Sequence, residues 1–331
     1  MEMKSNIGSW IKVGGLYPRT PLSPRTEQTP IQLLQEYGIQ VTDLWDLADT
    51  FVSFDYCAED VQKSVLFGVP INRRILIRSE PEVVCPENYR MENLDKFGLV
   101  ITMGKIRNGL ENNFPWPQFW VNEKESDDGI LRKDKVALVC GNKLSLIEGE
   151  LYSLRREVAH KNKDIALFGT DWDLAISRKL KILIASLGIT VKSRHLPQLR
   201  GLLTWFKVPR NWLGAPKDKL EVLRGYKVTL VIENSATYVT EKLFDAFFAR
   251  TIPIYVGADL TIFNIPNNLF VSAESTAESI SNSVERALKM DHDVWRNELN
   301  LWLNSKEAQV NWDQNAVYKE VIICIQNFLK I

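Results

Sequence analysis

Short apolar runs alternate with helix-like amphipathic patterns along the chain, and this alternation constrains the fold more than any other feature of the sequence. An apolar run of about four to eight residues is typical of a buried strand, and its alternation with helical patterns predicts a parallel sheet covered by helices. In the first part of the chain the segments are SWIKVGGLY, PIQLLQEYG, TFVSFDY, RRILIRSEP and FGLVITMG. In the later part they are KVALVCGNK, LIEGELYSLRREVAHK, DIALFG, SRKLKILIASLG with its end at Gly188, YKVTLVIEN, TEKLFDAFFAR and TIPIYVG. Two such series predict an α/β protein with two domains and a cleft between them.

A break in this alternation marks the predicted domain boundary. Between Arg107 and Lys135 the chain reads as aromatics and prolines followed by a run of charges. We therefore predict an N-terminal domain over residues 1–134 and a C-terminal domain over residues 135–331, a division that suits a chain of 331 residues. The aromatic stretch FPWPQFW, residues 114–120, is equally suited to stacking on sugar rings and to packing at the domain interface.

Composition excludes several classes of protein. The chain is 45% hydrophobic and 25% charged, as in soluble globular proteins, and its 41 Lys and Arg balance its 41 Asp and Glu. No global basic field is therefore available to recruit nucleic acid or an anionic membrane. The four cysteines and three histidines lack metal-ligand spacing, and no signal peptide or long apolar segment is present. We expect a cytoplasmic protein without an integral membrane segment; its oligomeric state is not indicated.

A cluster of polar residues follows the predicted strand that ends at Ile232. Its members are Glu233, Asn234, Tyr238, Thr240, Glu241 and Lys242. Ligands of open α/β sheets bind outside the carboxyl ends of the strands, which is where this cluster falls. Thr240 is a favourable N-cap, whereas Lys242 in the first turn opposes the helix dipole unless an anion such as a diphosphate lies in front of it. The alternative is a surface lysine paired with Glu241 or Asp245.

The stretch YKVTLVIENSATYVTEKLFDAFFARTIPIYVG resembles the signature of the α1,3-fucosyltransferases, glycosyltransferase family 10. That signature has a strand ending in F-E-N, a short loop, Y-V-T-E-K at the start of a helix, and a T-x-P-x-x-x-G strand. This chain has Ile232 where the family usually has an aromatic residue. With the segment WLGAPKDKLEVLRGYK upstream, the resemblance covers Trp212 to Gly257.

The resemblance implies a GT-B-type fold of two Rossmann-like domains, with GDP-fucose bound by the C-terminal domain and an oligosaccharide acceptor by the N-terminal domain. It implies that Lys242 neutralises the diphosphate, that Glu241 accepts hydrogen bonds from the ribose, and that Tyr238 lines the nucleotide site. Asn234 is expected near the phosphate or the fucose, and Glu233 is included among the donor-binding residues.

One phosphate contact of the family has no direct counterpart. Many members carry an arginine near the start of the first helix of the donor domain, and the segment CGNKLSLIEGELYSLRRE has none at that position. Lys143 or Arg155 are the candidate replacements. The alternative for Arg155 is an exposed helical arginine without a ligand.

The resemblance also implies a carboxylate base in the N-terminal domain, at a strand-end glutamate that is often followed by proline. Glu80 directly precedes Pro81 after the predicted strand Ile75 to Ile77. The alternatives are that Glu80 pairs with Arg78 or Arg73, or that Glu82 is the base.

A D-x-D sequence at Asp171 and Asp173 is similar to the metal-binding acids of the other large glycosyltransferase class. Its position before a helix favours Asp173 as an N-cap, so we predict no obligatory metal and no other cofactor.

The predicted function is an inverting fucosyltransferase that uses GDP-fucose, with α1,3 or α1,4 linkage to N-acetylglucosamine or glucose. The alternatives are a non-catalytic glycan-binding or sugar-nucleotide-binding relative, and a transferase that uses another GDP-sugar.

Overall fold

The computed structural model describes residues 10–15, 30–102, 130–199, 201–308 and 314–330. The chain divides into two compact units. The first unit contains residues 1–122 and 310–331, and the second contains residues 123–309. The aromatic stretch at residues 114–120 lies outside the described residues.

The first unit contains a five-stranded parallel sheet in the order β2-β1-β3-β4-β5. Its strands are β1 Trp10–Gly15, β2 Gln40–Thr42, β3 Thr50–Phe54, β4 Arg74–Arg78 and β5 Leu99–Thr102. The helices between them are α1 Pro30–Glu36, α2 Ala58–Leu66 and α3 Met91–Leu94, with 3-10 turns at Ile71–Arg73 and Pro86–Tyr89. Every residue of β3 is buried, because a parallel sheet covered by helices is shielded on both faces.

The second unit contains a five-stranded parallel sheet in the order β10-β9-β8-β6-β7. Its strands are β6 Lys133–Val139, β7 Ala166–Phe168, β8 Tyr226–Ile232, β9 Ile252–Val256 and β10 Val271–Ser272. Its helices are α4 Tyr152–Lys161, α5 Ile176–Lys192, α6 Leu202–Trp205, α7 Lys219–Arg224, α8 Glu241–Phe248, α9 Ala277–Lys289 and α10 His292–Leu303, with 3-10 turns at Leu260–Phe263 and Asn267–Leu269.

The two sheets have the same topology. In each, the chain runs from the first strand to an edge strand and then returns to the other side of the first strand, so that β3 lies beside β1 and β8 lies beside β6. In such sheets the crevice for a ligand opens at the carboxyl ends of the two strands where the direction reverses. The segments after β6 and β8 in the second unit, and after β1 and β3 in the first, therefore lie at these crevices.

The predicted α/β class with two Rossmann-like domains is confirmed, but some predicted bounds were wrong. Helix α5 does not end at Gly188 and continues to Lys192, because the buried Thr190 anchors its last turn. Helix α4 begins at Tyr152, well after the start of the predicted helical segment. The C-terminal helix, α11 Gln314–Leu329, groups with the first unit, whereas the predicted boundary at residue 134 had assigned it to the second domain.

Candidate active site

Helix α8 begins at the carboxyl end of β8, where the sequence predicted a ligand site. Thr240 is its N-cap, and its hydroxyl accepts a hydrogen bond from the backbone N–H of Lys242 at 3.3 Å. The apolar side of the helix is buried in the core of the unit, with Leu243 and Phe244 fully inaccessible. The predicted start and cap of this helix are thus confirmed.

Glu233 connects the end of β8 to the start of α8. One carboxylate oxygen accepts a hydrogen bond from the backbone N–H of Thr240 at 2.9 Å, and the other accepts one from the Thr240 hydroxyl at 2.7 Å. The second oxygen also lies 3.4 Å from the ammonium of Lys242. Glu233 has no exposed surface, whereas Lys242 is partly exposed, so Glu233 lies deeper in the unit than Lys242.

The Lys242 ammonium is held close to the start of the helix. It donates to the Thr240 hydroxyl at 2.7 Å and lies 3.8 Å from Glu241, with 18% of the side chain exposed. Lys242 thus pairs with Glu241, one of the two partners named by the sequence alternative, and Asp245 pairs with Lys219 at 2.5 Å. Lys242 is a largely buried cation whose nitrogen is fixed by the cap and by Glu233.

The charges of this cluster stabilise one another. Burial acts to lower the pKa of the Lys242 ammonium, but the carboxylates of Glu241 and Glu233 outweigh it and raise the pKa above its ordinary value. Burial acts to raise the pKa of Glu241, but the cations of Lys242 and Lys219 outweigh it and lower that pKa. The cluster therefore presents an ammonium and a carboxylate side by side at neutral pH.

Arg155 lies on α4, and its guanidinium reaches the end of β8. Its Nε and Nη2 donate to the carbonyl of Ile232 at 3.0 and 2.5 Å, and Nη2 donates to the Asn234 side-chain oxygen at 3.0 Å. The carbonyl of Asn234 accepts a hydrogen bond from the backbone of Leu151 at 3.0 Å. Arg155 is only 3% exposed, so its interpretation as an exposed helical arginine was wrong, because α4 is buried on most of its surface. Its contacts position the loop that carries Asn234.

Tyr238 and Lys143 differ in how accessible they are. Tyr238 is 2% exposed and belongs to the core beneath the start of α8. Lys143 is exposed, in the segment that follows β6, and its carbonyl accepts a hydrogen bond from Arg156 at 2.6 Å. We call Glu233, Thr240, Glu241 and Lys242 the Glu233 cluster. Because β6 and β8 are adjacent parallel strands, Lys143 lies at the same edge of the sheet as this cluster.

An open cavity of about 320 Å³ lies at the carboxyl ends of β9 and β10, and sequence reasoning did not identify it. It is lined by residues that include Tyr255, Gly257, Asp259, Phe270 and Ser272. A Cβ added to Gly257 would lie 2.3 Å from the Tyr255 hydroxyl oxygen and 2.7 Å from Cγ of Glu233. Glycine is therefore required where this cavity adjoins the Glu233 cluster, and the family-like T-x-P-x-x-x-G pattern was the sequence signal for it.

Glu80 follows β4 in the first unit and is partly exposed. Its backbone is held in place: the N–H donates to Asp55 at 3.0 Å, and the carbonyl accepts from the Tyr89 hydroxyl at 3.2 Å. Of the arginines considered as partners for Glu80, Arg73 contacts Asp49 at 3.3 Å and the Arg78 guanidinium lies 4.6 Å from the Tyr89 ring centroid. Glu82 is also partly exposed, two residues further along the chain.

Asp55 is a buried carboxylate that sequence reasoning missed. It directly follows β3, has a φ of 59° and has no exposed surface. It accepts hydrogen bonds from the backbone N–H groups of Ser79 and Glu80 at 2.7 and 3.0 Å, from Asn88 at 2.6 Å, and from the Ser79 hydroxyl. Burial raises the pKa of Asp55, although its hydrogen bonds from Ser79 and Asn88 act in the opposite direction. The sequence feature that could have identified Asp55 is its position directly after an apolar strand. That strand, β3, pairs with β4, the strand that precedes Glu80.

Of the two D-x-D acids, Asp173 does not have the predicted role of a helix cap. The N-cap of α5 is Ala175, so Asp173 was wrongly predicted as a cap. Asp171 has a φ of 68°, and its carboxylate accepts a hydrogen bond from Thr170 at 3.2 Å. Within the described residues, no three or more His, Cys, Asp or Glu side chains come together as a metal site. None of the described helices is long and apolar enough to cross a bilayer.

Comparison with known proteins identifies a short sequence match. No protein-family model matches the chain. The α-(1,3)-fucosyltransferase FucT of Helicobacter pylori is 52% identical over 52 residues, a match that covers 15% of this chain and 11% of the relative. The matched segment is thus a small part of the relative's length.

Comparison of structures identifies the type of fold. The crystal structure of an α1,3-fucosyltransferase superposes with a TM-score of 0.55 at 14% identity, covering 100% of this chain and 93% of that one. Anabaena Alr3699/HepE, solved with UDP and glucose, has a TM-score of 0.57 at 9% identity and covers 97% of this chain and 100% of that one. A glycosyltransferase from Rickettsia africae has a TM-score of 0.51 at 9% identity, with coverages of 97% and 99%. At these identities the likeness concerns the fold alone. The predicted resemblance is confirmed: the chain is similar to the α1,3-fucosyltransferases in a short segment of sequence, and it shares the GT-B-type fold of that enzyme and of other glycosyltransferases.

Proposed function

We propose that the protein is an inverting glycosyltransferase that moves L-fucose from GDP-fucose to a hydroxyl of an oligosaccharide acceptor. The observation that carries this proposal is the Lys242 ammonium held at the start of α8 by Glu233 and Thr240. In this proposal the second unit binds the donor and the first unit binds the acceptor. The linkage is α1,3 or α1,4 to N-acetylglucosamine or glucose.

The start of α8 is suited to a diphosphate. An ammonium and the positive end of a helix dipole repel each other, and an anion in front of both relieves that repulsion. Glu233 is too deeply buried to touch the donor, so its contribution is to hold the Lys242 nitrogen. Lys143 is proposed for the second phosphate contact, because it is exposed after the neighbouring strand β6. Arg155 does not contact the donor in this proposal; it positions Asn234 through its hydrogen bond to the side chain of that residue.

The nucleoside part of the donor has two candidate contacts. Glu241 is a carboxylate with 32% of its side chain exposed, and two acceptor oxygens match the two hydroxyls of a ribose. The cavity of about 320 Å³ beside Gly257 falls within the usual size range of small-molecule sites, and we assign it to the nucleoside. Tyr238 packs beneath this region and supports it from the core.

Glu80 is the proposed general base. It takes the proton of the acceptor hydroxyl while that oxygen forms a bond to the anomeric carbon and the bond from that carbon to the GDP oxygen breaks. The developing negative charge on the leaving diphosphate is stabilised by Lys242 and by the N–H groups at the start of α8. Asp55 is a positioning residue, because it holds the backbone N–H of Glu80.

The alternatives differ in what they require of these residues. A non-catalytic binder needs the Glu233 cluster, which includes Lys242, but it needs no base. A transferase for another GDP-sugar needs both, since no residue described above recognises the methyl group of fucose. Incubation with GDP-fucose, GDP-mannose and a panel of β-galactosyl-N-acetylglucosamine acceptors, followed by NMR of the product linkage, distinguishes these cases. A cytoplasmic location and the absence of a nucleic-acid partner stay predictions.

Replacing Lys242 with alanine is expected to weaken GDP binding by about 2 to 4 kcal/mol, or roughly 30- to 800-fold, because a half-buried diphosphate loses its cation. Isothermal titration calorimetry measures the effect. Lys227→Ala is the matched control, because Lys227 is a 19% exposed, ion-paired lysine at the opposite end of β8. Equal GDP affinity in Lys242→Ala and wild type, at an unchanged unfolding temperature, would remove the start of α8 from the donor site.

Glu80→Gln is expected to lower kcat by roughly 10² to 10⁴ and to leave GDP affinity unchanged, because it removes the base and keeps the shape of the side chain. The acidic limb of the pH profile of kcat/KM should disappear with it. Glu82→Gln is the control. If Glu82→Gln loses activity and Glu80→Gln does not, the base is Glu82; normal activity in both variants contradicts a carboxylate base in this segment.

The raised pKa of Asp55 predicts a pH-dependent difference in stability between the wild type and Asp55→Asn. A carboxyl whose pKa is raised by folding contributes stability below its unfolded pKa of about 3.9 and loses it as the pH rises through the folded value. The free energy of unfolding of the wild type, relative to Asp55→Asn, should therefore fall as the pH rises above the unfolded pKa of the carboxyl. Urea titrations measure it, with Ser64→Ala, a buried residue that does not titrate, as the control. A difference that stays constant or rises contradicts the assignment.

Turnover is expected to persist in EDTA, because the Lys242 ammonium and the helix start supply the positive charge that the leaving diphosphate needs. Initial rates with and without the chelator test this. Loss of turnover with recovery on addition of Mn²⁺ would instead indicate a metal at the diphosphate, and Asp171→Asn and Asp173→Asn would then show whether these acids bind it.

A further inference from the structure

Helix α5 has an unusual distribution of apolar and polar residues. Of its seventeen residues the two that are buried are Lys179 and Thr190, whereas Ile176, Leu180, Ile184 and Val191 are between 45% and 70% exposed. At about 100° per residue these four aliphatic side chains lie within an arc of roughly 80°, so they form one stripe along the helix. All four side chains are exposed on the surface of the unit.

The exposed apolar surface continues beyond the helix. Leu196 is 88% exposed, Leu199 is 62% exposed, and Leu203 on α6 is 81% exposed. We call the α5 stripe together with these three leucines the α5 face. Single exposed leucines are common, and Ile189, 49% exposed, lies outside the stripe, but the seven exposed aliphatic side chains of the α5 face form a series that is typical of an interaction surface.

The charge of this segment has one sign. Residues 174–217 contain nine Lys or Arg and no Asp or Glu, in a chain whose 41 basic and 41 acidic residues balance. Arg178, Lys181 and Lys192 are exposed on α5, within an arc of about 60° beside the aliphatic stripe. A stripe of aliphatic side chains beside a stripe of cations is the pattern of helices that lie in the surface of an anionic membrane.

The α5 face is held rigidly on the second unit. Lys179 is 1% exposed, and its ammonium donates to the carbonyls of Trp172 and Trp205 at 3.1 and 3.0 Å. Trp205 is fully buried and ends α6. The helix is thus anchored to the unit by a polar contact of its buried side.

We propose that the α5 face binds an anionic lipid surface, with α5 parallel to the membrane plane. The aliphatic stripe enters the region between headgroups and acyl chains, while the neighbouring cations contact the headgroups. A second copy of this chain suits the face less well, because two such faces would bring cations against cations. Nucleic acid suits it less well too, because sites for single strands pair cations with aromatic rings and not with aliphatic ones. The inference does not depend on the proposed transfer reaction.

Flotation with extruded vesicles tests the proposal. The full-length protein is expected to float with vesicles of phosphatidylcholine and phosphatidylglycerol at 70:30 in 0.1 M NaCl, to float far less in 0.5 M NaCl, and to stay behind with phosphatidylcholine alone. Leu180→Ser with Ile184→Ser, and separately Arg178→Glu with Lys181→Glu, should each lower the partition coefficient about tenfold or more. All four positions are exposed, so circular dichroism and GDP binding should be unchanged.

The matched control is Val294→Ser with Leu301→Ser on α10, where the side chains are 54% and 77% exposed, and its flotation should equal that of the wild type. Three results would overturn the proposal. The first is a wild-type protein that does not float with the anionic vesicles in 0.1 M NaCl. The second is equal flotation of the α5 variants and the control. The third is a dimer, measured by light scattering, that Leu180→Ser with Ile184→Ser dissociates.

Discussion

The buried carboxylate of Glu233 is the group on which the candidate donor site depends. A carboxylate without exposed surface is stable only if its oxygens are hydrogen-bonded, since desolvation costs several kcal/mol for an unpaired ion. Here the partners are the N–H and hydroxyl of Thr240 and the ammonium of Lys242. The same contacts therefore satisfy the buried acid, fix the start of α8 and hold the lysine nitrogen in place.

The first unit repeats this arrangement with different residues. Asp55 directly follows β3 and Glu233 directly follows β8, and these strands have equivalent positions in sheets of identical order. Both acids have no exposed surface, and both accept backbone N–H groups from a segment that leaves the sheet. In one unit the acid orders the backbone of Glu80, and in the other it orders the start of a helix. In each unit a buried acid thus follows the strand that lies beside the first strand of the sheet. This acid is a structural element that the two units share.

Local patterns predicted the parts of the fold that depend on nearby residues. The strands follow from continuous apolar runs, and the cap of α8 follows from Thr240, because a cap involves residues two or three positions apart. The burial of Arg155 did not follow, since its partner Ile232 is 77 residues away and a polar helix sequence does not reveal which face is covered. Asp55 was missed for the same reason, because its partners are 24 to 33 residues away. Contacts of that kind also place α11 in the first unit. Roles that require a ligand, including that of Glu80, stay predictions.

The loop between β8 and α8 is held at both ends by hydrogen bonds within the protein, independently of any ligand. Arg155 and Leu151 hold Asn234 at its beginning, and Glu233 holds Thr240 at its end. A loop that must become ordered on binding reduces affinity by the conformational entropy that it loses. Because this loop is already ordered, a ligand at the start of α8 meets a preorganised surface. Its affinity is then governed by charge and shape, with little free energy spent on ordering the chain.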